Sequence, residues 1–145
     1  MTGRRSKSEP IRAARPSDIP RLMEIRAAVR ENRLQTLAIG PDDYRPYIED
    51  SRCWVVEPGG TVQAFAALDA EAASIWALFV DPTCEGSGLG RALLEHLIAE
   101  ARARGLPALA LETDAGTRAE AFYLGHGFAI TARNLDTLSM SLPLA

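Results

Sequence analysis

The stretch that most constrains this chain is Leu78–Arg91, LFVDPTCEGSGLGR, where three glycines at alternate positions join an apolar run to an amphipathic one. The run before it, Ser74–Val80 (SIWALFV), is short and almost wholly apolar, as a buried central strand should be. Downstream, Arg91–Arg104 predicts a long helix. Leu89, Leu93, Leu94, Leu97, Ile98 and Ala101 form one apolar stripe there, and Gly105 ends it. Glycines without Cβ atoms let a backbone approach a ligand and adopt positive φ. A helix starting there leaves unpaired N–H groups and a partial positive charge, a seat for phosphate. Arg91 adds a cation beside it.

Three phosphate-binding patterns compete for this loop. A P-loop ends in Gly-Lys-Ser/Thr, but the chain's only lysine is Lys7, so that pattern is excluded. A dinucleotide fingerprint is G-x-G-x-x-G, one residue longer than the G-x-G-x-G found here. Glu112 stands near the distance of that fold's ribose-binding acid, yet the loop follows three β runs rather than opening a repeated βαβ series. A dinucleotide-binding oxidoreductase is therefore the weaker alternative. The third pattern needs the rest of the chain.

Ile11–Ala14 predicts a short first strand, and Pro16–Ser17–Asp18 a helix start with Ser17 or Asp18 as cap. Ile19, Leu22, Ile25 and Val29 then follow at helical spacing. Gly40–Pro41 breaks the chain before a second helix around Asp42–Glu49. Cys53–Glu57 and Thr61–Leu68 are strand-like runs separated by Pro58–Gly59–Gly60, a hairpin signal. Ala108–Leu111 is a further apolar run, so strand, helix and strand imply a right-handed crossover with parallel pairing. Thr117-x-x-Glu120 reads as a capping box for a helix from Arg118 to about Gly125–His126–Gly127. Phe128–Ala132 and Thr137–Leu142 close the chain, with Leu138, Met140 and Leu142 facing inward. The expectation is one α/β (α+β) domain over residues 11–145 with a mixed sheet, behind a flexible tail at residues 1–10.

Charge and composition narrow the partners. A net charge of −3 argues against general nucleic-acid binding. No apolar run approaches the roughly 20 residues that span a bilayer, so no membrane partner is expected. Met1–Pro10 carries Arg4, Arg5 and Lys7 without a following apolar stretch, unlike a secretory signal. Cys53 and Cys84 lack CxxC spacing, which makes a reducing, cytoplasmic setting the default, with no bridge expected between them. No metal is expected.

A second motif, Ala119-Glu120-Ala121-Phe122-Tyr123-Leu124-Gly125-His126-Gly127-Phe128, lies downstream of the loop. The two motifs, in this order and separation, resemble those of the GNAT N-acetyltransferase family over roughly Ile11 to Leu142. The resemblance implies an acyl-CoA N-acyltransferase fold, with six to seven strands flanked by about four helices. It implies acetyl-CoA as co-substrate, transfer to a primary amine of a small molecule or peptide, and Tyr123 as the acid that protonates the thiolate. The pantetheine arm would meet the backbone of Leu78, Phe79 and Val80, and the pyrophosphate would meet Glu85, Gly86, Ser87, Gly88, Leu89, Gly90 and Arg91. Thr117 and Phe122 would complete the cofactor site. Two positions depart from the family pattern: Glu85 stands where Gln or Arg is usual, and Gly116 where asparagine is frequent. They leave a non-catalytic acyl-CoA-binding module as the main alternative.

The general base is unassigned among Glu112, Asp81, Asp69, Glu71 and a water chain. His96 and His126 read as structural, Cys84 as a bystander rather than a nucleophile, and Trp76 as core that can also line the acceptor site. Arg30 and Arg33 are the expected acceptor-side cations. An exposed last strand would offer an edge for a homodimer.

Overall fold

The computed structural model describes residues 10–29 and 39–144. In chain order the elements are β1 (Ile11–Ala13), α1 (Ile19–Ala28), α2 (Pro41–Glu49), β2 (Cys53–Val56), β3 (Ala64–Asp69) and β4 (Ser74–Val80). They continue as α3 (Leu89–Ala103), β5 (Ala108–Asp114), α4 (Arg118–Gly125), β6 (Ala129–Arg133) and β7 (Thr137–Pro143). The strands form one mixed sheet in the order β1-β2-β3-β4-β5-β7-β6. Only β4 and β5 run parallel, joined by the α3 crossover.

Strand periodicity sends successive side chains to opposite faces, and both faces here are covered. Trp54, Val56, Ala64, Ala66 and Leu68 join the α3 stripe of Leu89, Leu93, Leu94, Leu97 and Ala101 in one core. Cys53, Val55, Phe65 and Ala67 join Ile19, Leu22 and Ile25 of α1 and Tyr44 and Ile48 of α2 in the other. Burying a leucine stabilises by roughly 1.5–3 kcal/mol, which is why the α3 stripe fixes the crossover on its face.

The alternation slips once, and that slip makes the site. Ala67 pairs with Ala77 and Leu68 with Ile75, so Trp76 is an extra residue on β4. Trp76 and Ala77 consequently both pack on the α1–α2 face, while Leu78 and Val80 return to the α3 face. Past this bulge β4 and β5 diverge, and their register holds a single pair, Ser74↔Ala110. Strand β5 is instead laddered to β7 along its whole length, from Ala108↔Pro143 to Asp114↔Thr137. The β5-facing edge of β4 from Ile75 to Val80 therefore has no strand partner. Parallel pairing is present as expected, but only at its first step.

Several local expectations need correction. Asp18 stands at the N-cap position of α1, as expected, but its side chain makes no capping bond to that helix. Its carboxylate accepts from the Arg15 N–H at 2.8 Å and from both terminal nitrogens of Arg12, closing a 3₁₀ turn at Pro16–Asp18. Val29 lies just beyond α1 in extended backbone rather than on the helix. The last strand, β7, is no edge: it inserts between β5 and β6, which leaves β1 and β6 outermost and removes the expected dimer contact through β7. Arg30 and Arg33 and the tail at residues 1–9 lie outside the described residues.

Candidate active site

The opening between β4 and β5 widens into a cavity of about 440 Å³, walled by the glycine loop, α4 and the end of α1. On the α3–α4 wall the loop is built from backbone. Gly86 and Gly88 hold φ of 84° and 87°, and an added Cβ would meet nothing within 4 Å at either. Conformation, not space, requires glycine at both. Gly88 is the N-cap residue of α3, and the first-turn N–H groups behind it have no partner within the helix. Gly90 differs, since a Cβ there would sit 3.5 Å from Val80 Cγ2 and 3.7 Å from the Phe122 ring. It lets α3 pack closely on β4 and α4.

Of the residues expected to hold acyl-CoA, Leu78, Phe79, Val80, Glu85, Gly86, Gly88, Leu89, Gly90, Arg91, Thr117 and Phe122 all line this cavity, and so does Tyr123. Ser87 does not: its hydroxyl turns back to donate to the Cys84 carbonyl at 2.5 Å, stiffening the loop from outside. Arg91 lies mostly exposed and pairs with Glu95 at 3.2 Å. Thr117 caps α4 by accepting from the Glu120 N–H at 3.3 Å, and its hydroxyl donates to the Asp114 carbonyl at 2.8 Å. The capping box is shifted by one residue, because the Glu120 carboxylate accepts from the Gly116 N–H rather than from Thr117. Gly116 itself has φ 75°, a left-handed turn that asparagine also tolerates. Glu85 pairs with Arg118 across the loop and the start of α4. Its negative charge is thus compensated at the cavity mouth.

Tyr123 is 7% exposed and reaches the cavity from α4. Burial pushes its phenol well above the ordinary value, so it stays protonated throughout the neutral range. Phe122 and Phe128 meet its ring edge-on at 5.2 and 5.3 Å, which fixes the ring plane.

The four carboxylates weighed for a base separate cleanly. Asp81 is a positioning group: it accepts from Thr83 N–H and from Arg21 at 2.6 Å, bonds that hold its carboxyl below the usual range. Asp69 caps the turn after β3 by accepting from the Ala72 N–H at 3.1 Å, and neither it nor Glu71 lines the cavity. Glu112 does line it. Leu109 and Leu111 belong to the α3 core, so alternation puts Glu112 on the α1–α2 side. His96 sits edge-on to Trp54 at 4.8 Å, and His126 bonds the Phe122 carbonyl at 2.8 Å, so both are structural. Cys53 and Cys84 are free thiols; Cys84 lines the cavity, where no histidine accompanies it.

Sequence reasoning missed Arg26. It is 4% exposed, lines the cavity and donates to the Tyr44 hydroxyl at 3.3 Å. A signal was present: Arg26 follows Ile19 by seven and Leu22 by four, so it occupies the apolar stripe of α1.

Among the described residues no group of three or more His, Cys, Asp or Glu is placed to hold a metal ion, and no helix is long and apolar enough to cross a membrane. The single βαβ crossover does not make the repeated series a dinucleotide fold needs.

Known proteins place this architecture. Similar sequences include a ribosomal protein bS18-alanine N-acetyltransferase of Escherichia coli K12, 38% identical over 99 residues that cover 59% of this chain and 67% of that one. Another is the chloroplastic serotonin N-acetyltransferase 2 of Oryza sativa subsp. japonica, 41% identical over 58 residues, which cover 40% of this chain and 28% of the rice protein. Among solved structures, the ribosomal-protein-S18-alanine N-acetyltransferase from Escherichia coli matches with TM-score 0.77 and 27% identity over 94% of both chains. A Salmonella typhimurium structure solved with its cofactor acetyl-CoA matches with TM-score 0.71 and 27% identity, again over 94% of both. The model of the acetyltransferase (GNAT) family fits residues 21–128, from α1 through the tyrosine helix, and this chain belongs to that family.

Proposed function

We propose that the chain transfers an acetyl group from acetyl-CoA directly to a primary amine, with Tyr123 as acid and Glu112 as base. One observation carries the reading. The opened β4–β5 gap, the glycine loop and the Tyr123 side chain share one cavity.

In this reading the loop backbone at Gly86–Gly90 and the start of α3 bind the pyrophosphate, with Arg91 and Arg118 adding charge. The β5-facing backbone edge of Leu78–Val80 offers the pantetheine amides the place of a strand partner, and one N–H polarises the thioester carbonyl. Glu112, reaching the cavity from the acceptor side, accepts the amine proton. The amine nitrogen forms its bond to the acetyl carbon as the carbon–sulfur bond breaks, and Tyr123 donates its hydroxyl proton to the departing sulfur. Products are the acetamide and free coenzyme A thiol; Glu112 releases its proton to solvent and Tyr123 regains one from it. Transfer is direct, since no histidine accompanies Cys84 among the residues that line the cavity. The cytoplasm is the setting that the two free thiols favour.

The test is thermal unfolding with acetyl-CoA, followed by thiol release in the presence of an amine panel. Ligand at a hundred times its dissociation constant stabilises by about 2.7 kcal/mol, roughly a 5–10 °C shift for a chain of this size. A shift with amine-dependent thiol release supports the reading. A shift without release for any amine leaves a non-catalytic acyl-CoA-binding module; no shift at millimolar acetyl-CoA removes both.

A further inference from the structure

The row of side chains that β5 turns toward α3 breaks its apolar pattern once. Leu109 and Leu111 face that side, and their partners across the ladder to β7, Leu142 and Met140, belong to the same core. Thr113 is the next residue of the row, paired with Leu138, which is 1% exposed and also in that core. A valine would continue the row with the same shape. Leu138 offers a hydroxyl nothing to bond, and withdrawing one from water without a partner is costly. What Thr113 does face is the cavity, which it lines together with Tyr123.

Among the described residues three hydroxyl side chains line the cavity: Thr113, Thr117 and Tyr123. Tyr123 is placed as the acid. Thr117 uses its hydroxyl twice, accepting from the Glu120 N–H at 3.3 Å and donating to the Asp114 carbonyl at 2.8 Å. Thr113 remains. Counting along the strands from their one paired step, Ser74↔Ala110, and allowing for the extra Trp76, Thr113 comes level with Leu78. Leu78 also packs on the α3 side. The two residues therefore stand on opposite rims of the gap at the same depth, roughly 10 Å beyond its closed end at about 3.3 Å per residue.

We propose that Thr113 is a cofactor-binding residue, its hydroxyl donating to an amide carbonyl of the pantetheine arm from the β5 side while the β4 backbone holds the arm from the other. The inference rests on the acetyl-transfer reading. A backbone edge such as that of β4 serves only one side of an extended arm. The far side needs a donor of its own, since an amide carbonyl in the narrow part of the gap gives up its hydrogen bonds with water. Strand β5 supplies that donor from a side chain, because past Ala110 it has left the ladder with β4.

The experiment measures ligand affinity by calorimetry for Thr113→Val, which keeps the shape and removes the hydroxyl, and for Thr113→Ser, which keeps the hydroxyl. Acetyl-CoA is expected to bind Thr113→Val about three- to tenfold more weakly than wild type, the worth of one hydrogen bond, and Thr113→Ser should recover most of the loss. The nucleotide half of coenzyme A, adenosine bisphosphate without the arm, should bind all three proteins alike. Desulfo-coenzyme A, which keeps both amides and lacks the sulfur, should show the same loss as acetyl-CoA. Equal affinity of wild type and Thr113→Val for acetyl-CoA overturns the contact. So does an equal loss on the bisphosphate, which would mark a general disturbance of the site. A loss that vanishes with desulfo-coenzyme A overturns it too, by moving the hydroxyl's partner to the sulfur. The melting temperature of unliganded Thr113→Val should not fall; a fall would mean that the hydroxyl is already bonded within the protein, which overturns the proposal. Should Thr113→Val fail to fold, Thr113→Ala removes the hydroxyl by truncation, and its losses on acetyl-CoA and on the bisphosphate decide in the same way. No binding of acetyl-CoA by the wild type sinks the acetyl-transfer reading and this inference with it, whereas binding without the Thr113 effect sinks the inference alone.

Discussion

The two walls of the cavity are made differently. The α3–α4 wall is mostly backbone: Gly86 and Gly88 in left-handed conformation, the first turn of α3 and the open edge of β4. The α1–α2 wall is side chains drawn from distant segments, with Arg26 from α1 and Trp76 and Phe79 from β4, backed by Tyr44 and Tyr47 of α2. In the proposed reading the backbone binds what is common to every reaction of such a site, the phosphates and amides of one donor. Side chains bind what varies. A site made of backbone must recruit glycines at fixed spacing, whereas one made of side chains needs only that the fold bring unrelated residues together.

The largest test of that division is Tyr123→Phe. If the tyrosine belongs to the donor wall, kcat should fall by about a hundredfold with every acceptor, at unchanged KM for acetyl-CoA, since general acid catalysis is worth 10²–10⁴. Its pH signature follows from burial. A phenol ordinarily ionises near 10, and burial holds the neutral form still higher. The wild-type rate should therefore rise as the amine deprotonates and show no fall up to about pH 9.5, the unperturbed range for the phenol being about 10. A descending limb near pH 8–9 that Tyr123→Phe abolishes would mean that the environment lowers the phenol instead. A drop confined to some acceptors would place Tyr123 on the variable wall.

The loop itself gives the next test. Gly88→Ala forces a non-glycine residue into left-handed backbone, at a cost of roughly 1–2 kcal/mol. Both the melting temperature and acetyl-CoA binding should fall. Gly90→Ala is the control: its φ is not left-handed and its Cβ finds ordinary contact, 3.5 Å from Val80. Little change in stability is expected there. Equal damage at both positions would show that close packing, rather than backbone conformation, sets the glycine requirement.

What was legible in the sequence follows the same line. The strands and helices were readable from apolar period, and the donor wall from GSGLG and the Phe122–Tyr123 motif, because backbone conformation writes itself into glycine positions. The bulge at Trp76 was not readable, since an extra residue in a strand leaves the run SIWALFV as apolar as before. Nor was the place of β7, because periodicity states which faces are buried and not which strand lies beside which. Ser87 belonged to the motif but bonds outward, a rotamer that no spacing encodes. Arg26 left a trace only as a charge on an apolar stripe, a sign that looks like noise until the aromatic frame is seen around it.

Arg21 ties the two walls together. Arg21 of α1 donates to the Val62 carbonyl at 2.8 Å and to Asp81, which in turn shapes the turn entering the glycine loop. Arg21→Ala should lower stability by about 1 kcal/mol, a few degrees in the melting temperature, because the pair is only partly shielded from solvent. Asp81 titrates below the ordinary carboxylate range in the folded chain, so its contribution is present above about pH 4 and disappears as pH falls through the folded value. The difference between wild type and Arg21→Ala should shrink accordingly in acid. A difference that is constant with pH would assign the effect to the Val62 bond alone.

The smallest expected effect asks whether Glu85 weakens the donor wall or completes it. An acid at the mouth of a phosphate seat repels the ligand, yet Glu85 is paired with Arg118, and both side chains are solvent-accessible. Exposed pairs contribute about 0–1 kcal/mol, so little stability is at stake. Glu85→Gln removes one negative charge from the mouth of the phosphate seat. Acetyl-CoA binding should tighten by about two- to threefold at low salt and converge with wild type near 1 M salt, where the screening length is about 3 Å. Arg118→Gln should loosen binding with the same salt dependence. If Glu85→Gln instead loosens binding, the carboxylate's task is to hold Arg118 in place. Glu85 would then be a side-chain part of an otherwise backbone wall, and the division between the two walls would be one of degree.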